Sequence, residues 1–411
     1  MRSVPYFLDT FPRSRRPDYS RFRGDTRTRV VIVGGGLTGC ACAASFAAAG
    51  VHAILLEQDR IGSGATAASA GLLRQDLDAS FTVCAEQHGL RVARHVWQGF
   101  RRSSLDFAAA LRRFGVRAGL APQDLLLIDR DGRFPSGASA KSGRLLREYH
   151  ARRDAGVEAS WLSPRAIAAE TSIAANGGIR TKGETIDPYR ASVGLAAAAA
   201  ARGAAIHERT PVRRIRARKK FVEVRTTGGT ITADAVVIAT GALIDDLRGL
   251  RRHFAPVQSY MVVTERMPAA VRREVGKRAA AVRDAADPPH LLRWLDDDRV
   301  LFGGADQAPA GSRAHDKVVV QHANELMYQL TTLYPAISGL QPEWGWDVLT
   351  HDSPDALPVV GPHRNFPRHL FALGQGHHGA GVAWLASRVL LRAFLGEPAK
   401  GDEFFGFSRI L

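Results

Sequence analysis

Cysteine is nearly absent from this 411-residue chain, with only Cys40, Cys42 and Cys84. Three cysteines cannot build a disulfide framework. Cys40-x-Cys42 also lacks a second pair at zinc-site spacing, so the thiols read as small core residues of a reduced, cytoplasmic protein. No apolar run approaches the roughly 18 residues that suggest a membrane-spanning helix. Lysine is scarce as well. It supplies seven of the 56 basic residues, the others being arginine, and 40 acidic residues leave a net charge of +16. The arginines fall in dispersed groups, at 13–16, 112–117, 213–218 and 251–252. That dispersion suits a solvated surface better than a nucleic-acid footprint, because phosphate binding needs its cations on one face. Residues 1–28 read as a basic surface arm. No apolar stretch follows Ser14-Arg15-Arg16, so a secretory or twin-arginine signal is not expected. What the chain does have is 45% apolar residues and a length suited to two or three domains of about 100–200 residues each.

Arg29 to Val33 is the β-branched run of a buried parallel strand. Gly34-Gly35-Gly36-Leu37-Thr38-Gly39 follows, then an Ala-rich helix closed by Gly50, and a second strand from Ala53 to Glu57. Gly34-x-Gly36-x-x-Gly39 between strand and helix is a dinucleotide-binding arrangement. The first glycine permits the turn, the second lets backbone approach a pyrophosphate, and the third lets the helix pack on the strand. Glu57, at the end of the second strand, can accept both adenosine ribose hydroxyls. These features select FAD or NAD without choosing between them. Further along, residues 80–115 read as one long helix and Asp124 to Arg130 as a strand. Asp187-Pro188 opens a helix. Strands follow near 205–208, 211–218, 221–226 and 231–239. Antiparallel strands are expected at 254–265, Leu291–Leu295 and Val300–Gly303, a loop from Gly361 to Arg368, and a closing helix from Gly381.

Three further segments bear on the cofactor. The small-residue loop Ile61-Gly62-Ser63-Gly64-Ala65-Thr66, with Ala70-Gly71-Leu72 after it, lets the chain run beside an extended dinucleotide. Ala239-Thr240-Gly241 closes a returning strand. Gly374-Gln375-Gly376-His377-His378-Gly379-Ala380-Gly381 leads into the last helix, where backbone amides can face a flavin carbonyl. With Ile186-Asp187-Pro188, Val212 after Thr210-Pro211, Phe302-Gly303-Gly304 and Pro354 to Gly361, this order of markers resembles the D-amino-acid oxidase/glycine oxidase superfamily of FAD oxidoreductases. Tyr260 to Glu265 and Trp344-Gly345-Trp346 are similar to its sarcosine oxidase and γ-glutamylputrescine oxidoreductase branch. The resemblance covers nearly all the chain from about Val30.

The resemblance implies an α/β fold, with a Rossmann-like FAD-binding domain interleaved with an α+β substrate domain built on an antiparallel sheet. The expected division is 29–85, 178–250 and 350–411 for FAD, and 86–177 and 251–349 for substrate. The residues expected at FAD are Gly34, Gly36, Leu37, Thr38, Gly39, Glu57, Gln58, Gly64, Ala65, Thr66, Ala70, Gly71, Leu72, Val212, Ala239, Thr240, Gly241, Gly361, Gly376, Gly379, Gly381 and Val382, with Val212 at the adenine. Two departures shape the expectation. Ala68 and Ser69 stand where family members with histidyl-linked FAD carry histidine, and no cysteine lies in the second half, so FAD should be noncovalent. No Gly-x-Arg-Pro segment precedes Pro354, which argues against an α-amino acid gripped as in D-amino-acid oxidase.

For substrate, the candidates are Arg293, Tyr260, Trp346, His377 and His378. Arg293 is a lone cation in an apolar strand, suited to an anionic group or to a structural ion pair. Tyr260 either lines the cavity or packs. Trp344 and Trp346 share one strand face and make an aromatic wall for a cationic amine or core packing. His377 and His378 lie in the loop expected near the flavin, or are ordinary loop residues. The expected chemistry is oxidation of the C–N bond of an amine or amino acid by hydride transfer to flavin N5, giving an imine that hydrolyses. Oxygen or another carrier would take the electrons, and an oligomer is left open. The alternatives are an RNA-associated flavoprotein, which needs the arginine groups to converge on the cleft, and an electron-transfer subunit of a hetero-oligomeric dehydrogenase.

Overall fold

The computed structural model describes residues 1–130, 142–242, 245–309, 311, 315–376 and 379–410. Two large sheets carry the fold. In the first, strand Thr26–Val33 lies between Thr230–Gly241 and Ala53–Leu56, parallel to both, and Ala205–His207 extends the parallel edge. Val30 to Val33 and Ala53 to Leu56 are all buried, as both-face coverage of a parallel sheet requires. Helix Leu37–Ala48 is made almost entirely of small residues, so it packs closely, with its own Cys40 and Cys42 in the core. Burial pushes the Cys42 thiol up to about 12, the behaviour of an inert core thiol. Phe366–Leu373 joins on the far side of Thr230–Gly241 and forms a hairpin with Val359–His363, where a loop was expected from Gly361.

The second sheet runs Pro342–Asp352, Ala255–Thr264, Arg299–Gln307, Leu291–Leu295, Ala280–Asp284, Asp124–Asp129, Gly177–Thr181, Ser160–Leu162. All its neighbours are antiparallel except Ala280–Asp284 with Asp124–Asp129. Helix His315–Leu333 covers one face through Val319, Ala323, Leu326 and Leu330.

Three expected boundaries move. The sheet claims Gly178 to Thr181, which had been assigned to the FAD side. The single helix over 80–115 is two, Phe81–His88 and Leu90–Arg113, broken at Gly89 with φ +83°. The second of these does not belong with the substrate sheet. It buries Trp97, Phe100, Phe107 and Leu111 in the core of the nucleotide domain, with Phe107 stacked on Trp384 of the closing helix Gly379–Leu395 at 5.8 Å. A strongly amphipathic helix goes where a matching apolar face exists.

The N-terminal arm is not a free surface segment. Arg2 N–H donates to the Glu343 carbonyl at 2.8 Å and Gly345 N–H to the Arg2 carbonyl at 3.1 Å, extending the second sheet at its edge. Tyr6 meets the Trp344 ring edge-on at 5.1 Å, Trp344 Nε1 donates to Asp9 at 3.0 Å, and Phe7 is buried. Phe7→Ala should therefore cost about 3–5 kcal/mol, read as a lower denaturant midpoint. A solvated arm would leave the midpoint within about 0.5 kcal/mol of the parent.

Candidate active site

The glycine turn is shaped by close approaches. Gly34 has φ +104°, and a Cβ there would lie 2.5 Å from the Ala239 carbonyl oxygen. A Cβ on Gly39 would come within 1.8 Å of the Gly34 oxygen, so helix and turn touch backbone to backbone. Gly36 is extended and begins the helix without a side-chain cap. A Cβ there would face Thr66 Oγ1 at 3.1 Å, and this hydroxyl accepts from Leu37 N–H at 2.9 Å. Glu57 accepts from Gly35 N–H at 2.6 Å and from Asp59 N–H at 2.8 Å. Burial raises its pKa while those two bonds act in the opposite direction. A helix start, with no side chain on Gly36 to fill the space before it, fits a pyrophosphate, and the carboxylate beyond fits a ribose.

A cleft runs from this turn to the second sheet. Of the residues expected at the cofactor, Gly34, Gly36, Leu37, Thr38, Glu57, Gln58, Gly64, Ala65, Thr66, Ala70, Gly71, Leu72, Ala239, Thr240, Gly241, Gly376 and Gly379 line it. Gly39 acts behind the turn. Val212, Gly361, Gly381 and Val382 are elsewhere. Val212 pairs with Thr226 in an edge hairpin, and the chain passes Glu57 two residues earlier, where Thr210 N–H donates to the Glu57 carbonyl at 2.8 Å. Gly361 sits in its hairpin near Gly406. Gly381 lets Phe100 approach the closing helix, since a Cβ there would meet that ring at 2.7 Å, and Val382 is wholly buried. His377 and His378 lie outside the described residues.

On the substrate side, side-chain alternation and depth correct the remaining assignments. Tyr260 points away from the cleft. Its ring stacks on His322 at 4.1 Å and its hydroxyl accepts from Gln307 at 2.8 Å. With a period of two, its neighbours Ser259 and Met261 face the cleft instead. Met261, Gly303, Leu291 and Arg283 form one cross-strand row over four strands, and all four line the cleft. Arg293 lies on this same face but one row deeper, level with Leu301 and Val263, where the 67–71 loop and Phe7 cover the sheet. Its Nη1 donates to the carbonyls of Ala70 (2.8 Å), Gly71 and Ile186 (3.3 Å), and its guanidinium stands 5.4 Å over the Phe7 ring. Burial pushes its pKa down to about 10, against the pull of Asp296 and Asp187. Trp346 is covered by the same loop, with Nε1 donating to the Ala68 carbonyl at 3.0 Å. Neither lines the cleft; both hold the loop that does.

The charged groups of the sheet end were not singled out from the sequence. Arg283 and Arg74 share Asp78, with Arg283 Nη1 at 3.1 Å. Arg74 also pairs with Asp76 at 3.1 Å, and Asp76 with Arg152 at 3.6 Å. Burial opposes the charge on Arg74, but Asp78 and Asp76 more than offset it and raise its pKa. His290 and Asp306 complete this end. An Arg in each of two short strands was the available signal; only the pairing of distant strands shows which of them reaches open space. The arginine groups at 112–117, 213–218 and 251–252 do not line the cleft, so the convergence required of an RNA-associated reading is not met.

Gly36→Val should abolish dinucleotide binding, measured by the cofactor content of purified protein. Arg293→Met should cost about 2–3 kcal/mol through its lost charged hydrogen bonds, lower the melting temperature and weaken cofactor retention. It should depress turnover of carboxylated and decarboxylated amines alike.

The DAO family, described as FAD dependent oxidoreductase, matches residues 29–393. The chain is 24% identical to γ-glutamylputrescine oxidoreductase of Escherichia coli K12, over 91% of this chain and 85% of that protein. It is 27% identical to glycine oxidase of Geobacillus kaustophilus, over 87% and 89%. The crystal structure of glycine oxidase from Geobacillus kaustophilus superposes with a TM-score of 0.76 at 22% identity, covering 94% of this chain and 99% of that one. With the glycine turn, the acidic strand end and the sheet-walled cleft in place, the chain belongs to the DAO family of FAD-dependent oxidoreductases.

Proposed function

We propose that this enzyme oxidises the C–N bond of a small amine or amino acid, with FAD bound noncovalently in the cleft. The observation that carries the reading is the single cleft itself, with a dinucleotide turn at one end and the row Met261, Gly303, Leu291, Arg283 at the other. FAD, when bound, supplies the two-electron acceptor for a hydride leaving the carbon beside nitrogen. The protein supplies position and desolvation. Gly34 to Thr38, Glu57 and Thr66 would hold the dinucleotide, and Arg293 and Trp346 fix the loop that borders it. Met261 and Leu291 present apolar surface to the substrate, and Arg283 is the cation suited to an anionic group. The names of the relatives, γ-glutamylputrescine oxidoreductase and glycine oxidase, fit this chemistry.

Noncovalent attachment is supported by Ala68 and Ser69 at the loop and by the burial of Cys40, Cys42 and Cys84 away from the cleft. Those unpaired thiols suit a reducing, cytoplasmic setting. No helix among the described residues is long and apolar enough to cross a membrane.

Acid precipitation of the purified protein should release all its flavin; yellow colour left in the pellet would show a covalent link. A panel of amines and amino acids added without oxygen should include one that bleaches the flavin, and recovery in air would identify oxygen as the acceptor. Arg283→Met should lower kcat/KM for a carboxylated amine about 30- to 150-fold more than for its decarboxylated analogue, the equivalent of about 2–3 kcal/mol for a charged hydrogen bond. Equal losses on both would remove Arg283 from the substrate site.

A further inference from the structure

The small-residue loop that begins at Ile61 is anchored from behind by a carboxylate that does not line the cleft. Glu208 follows strand Ala205–His207 and is 1% exposed. A buried charge is costly unless hydrogen-bond donors replace the water it loses. Here each oxygen takes one backbone N–H. Oε1 accepts from Ile61 at 2.8 Å and Oε2 from Tyr19 at 3.3 Å. The first donor opens the loop that borders the cleft, and the second belongs to the N-terminal arm.

On the loop side, Ile61 is wholly buried, and a Cβ on Gly35 would lie 2.6 Å from its Cδ1, so its side chain is seated on the glycine turn. Gly62 N–H donates to the Gly35 carbonyl at 2.9 Å, and Thr66 in the same loop accepts from Leu37 N–H at 2.9 Å. On the arm side, Asp18 accepts from Arg209 Nη2 at 2.7 Å, the Ser20 carbonyl lies 3.0 Å from His207 Nδ1, and Phe22 N–H donates to Thr210 Oγ1 at 3.1 Å. Residues 18–22 thus lie along 207–210, with Phe22 buried. An exposed Arg60–Asp18 pair at 3.7 Å adds to the link. The charge of Glu208 works against its neighbour, adding to the rise that burial imposes on the Glu57 pKa. Its two N–H bonds are what that burden maintains.

We infer that Glu208 is a positioning residue for the cofactor loop and couples the docking of residues 18–22 to the retention of FAD, an inference that rests on the dinucleotide occupying the cleft. A ligand that orders the loop fixes the Ile61 N–H. That bond holds the carboxylate where its other oxygen meets Tyr19. Coupling of this kind is reciprocal, so a docked arm strengthens FAD binding as much as FAD strengthens docking. Glutamine has one acceptor oxygen for the two donors. Glu208→Gln therefore breaks one of the bonds while keeping the side chain's shape.

The test uses the full chain, without FAD and with FAD at saturation. Trypsin cutting after Arg21 and Arg23, both exposed, reports docking of the arm, and cutting after exposed Lys277, ahead of strand Ala280–Asp284, is the reference. In the parent, FAD should slow cutting in the arm about 10-fold, within the range of coupling between two sites, and leave Lys277 unchanged. Glu208→Gln should raise the FAD Kd about 10-fold, measured by flavin fluorescence, and reduce the protection of the arm below about 3-fold. Glu208→Asp keeps two acceptor oxygens on a shorter stem. It should fall between parent and Glu208→Gln on both readouts, and it decides the residue's role if Glu208→Gln does not accumulate as folded protein. Variants that melt earlier yet bind FAD like the parent and keep its protection of the arm would make Glu208 a structural residue and overturn the inference. Equal cutting of the parent's arm with and without bound FAD would overturn the coupling. A parent that binds no FAD would overturn the dinucleotide reading of the cleft, and the coupling with it.

Discussion

One buried cation ties the molecule together. The Arg293 guanidinium leaves the second sheet and donates to three carbonyls of the nucleotide side, those of Ala70, Gly71 and Ile186. Phe7 of the N-terminal arm closes over it. Three segments distant in sequence therefore converge on one charged group whose compensation comes from backbone dipoles. Removing the guanidinium would take this donor from the Ala70 and Ile186 carbonyls, while the Gly71 carbonyl keeps the Ile186 N–H at 2.8 Å, and the cost would exceed the worth of any single bond. The position of the loop bordering the cleft, and so the width of the cleft, depends on this contact.

The cleft opens one row beyond that clamp. Along the inner face of the sheet, Arg293 and Leu301 are covered, while Leu291, Gly303 and Met261 are open. Two residues along a strand, about 7 Å, separate a structural arginine from the row that faces the substrate space. Gly303 matters in this row for the volume it leaves, while Gly304, paired with Tyr260 on the opposite face, makes room for the His290 ring. Charge at this end is arranged in pairs, with Arg283 and Arg74 on Asp78 and His290 on Asp284. Such pairing keeps buried charged groups satisfied.

The nucleotide half was legible because its constraints are local. Gly34, Gly36, Gly39 and Glu57 lie within one strand–turn–helix–strand unit; Gly39 meets Gly34 inside it, Gly34 meets Ala239 of the adjacent strand, and Gly36 meets Thr66 of the loop that follows. The substrate half was not legible in the same way. Tyr260 was left open between lining and packing because a strand buried throughout 258–264 carries too little polar alternation to reveal which side is which. The helix Leu90–Arg113 was placed in the wrong domain because amphipathicity announces that a face will be buried without naming its partner.

By itself the sequence determined the dinucleotide turn and the order of the family's markers, since these follow from short-range spacing and strand chemistry; the two interleaved domains followed from the resemblance those markers carry. Only the tertiary structure decided that Arg293 and Trp346 grip a loop, that Arg283 faces the cleft, and that the N-terminal arm is part of the sheet edge. Depth along a strand and register between strands are set by pairings between residues far apart in the chain, such as Arg283 with Leu291 and Leu291 with Gly303. No local pattern encodes them.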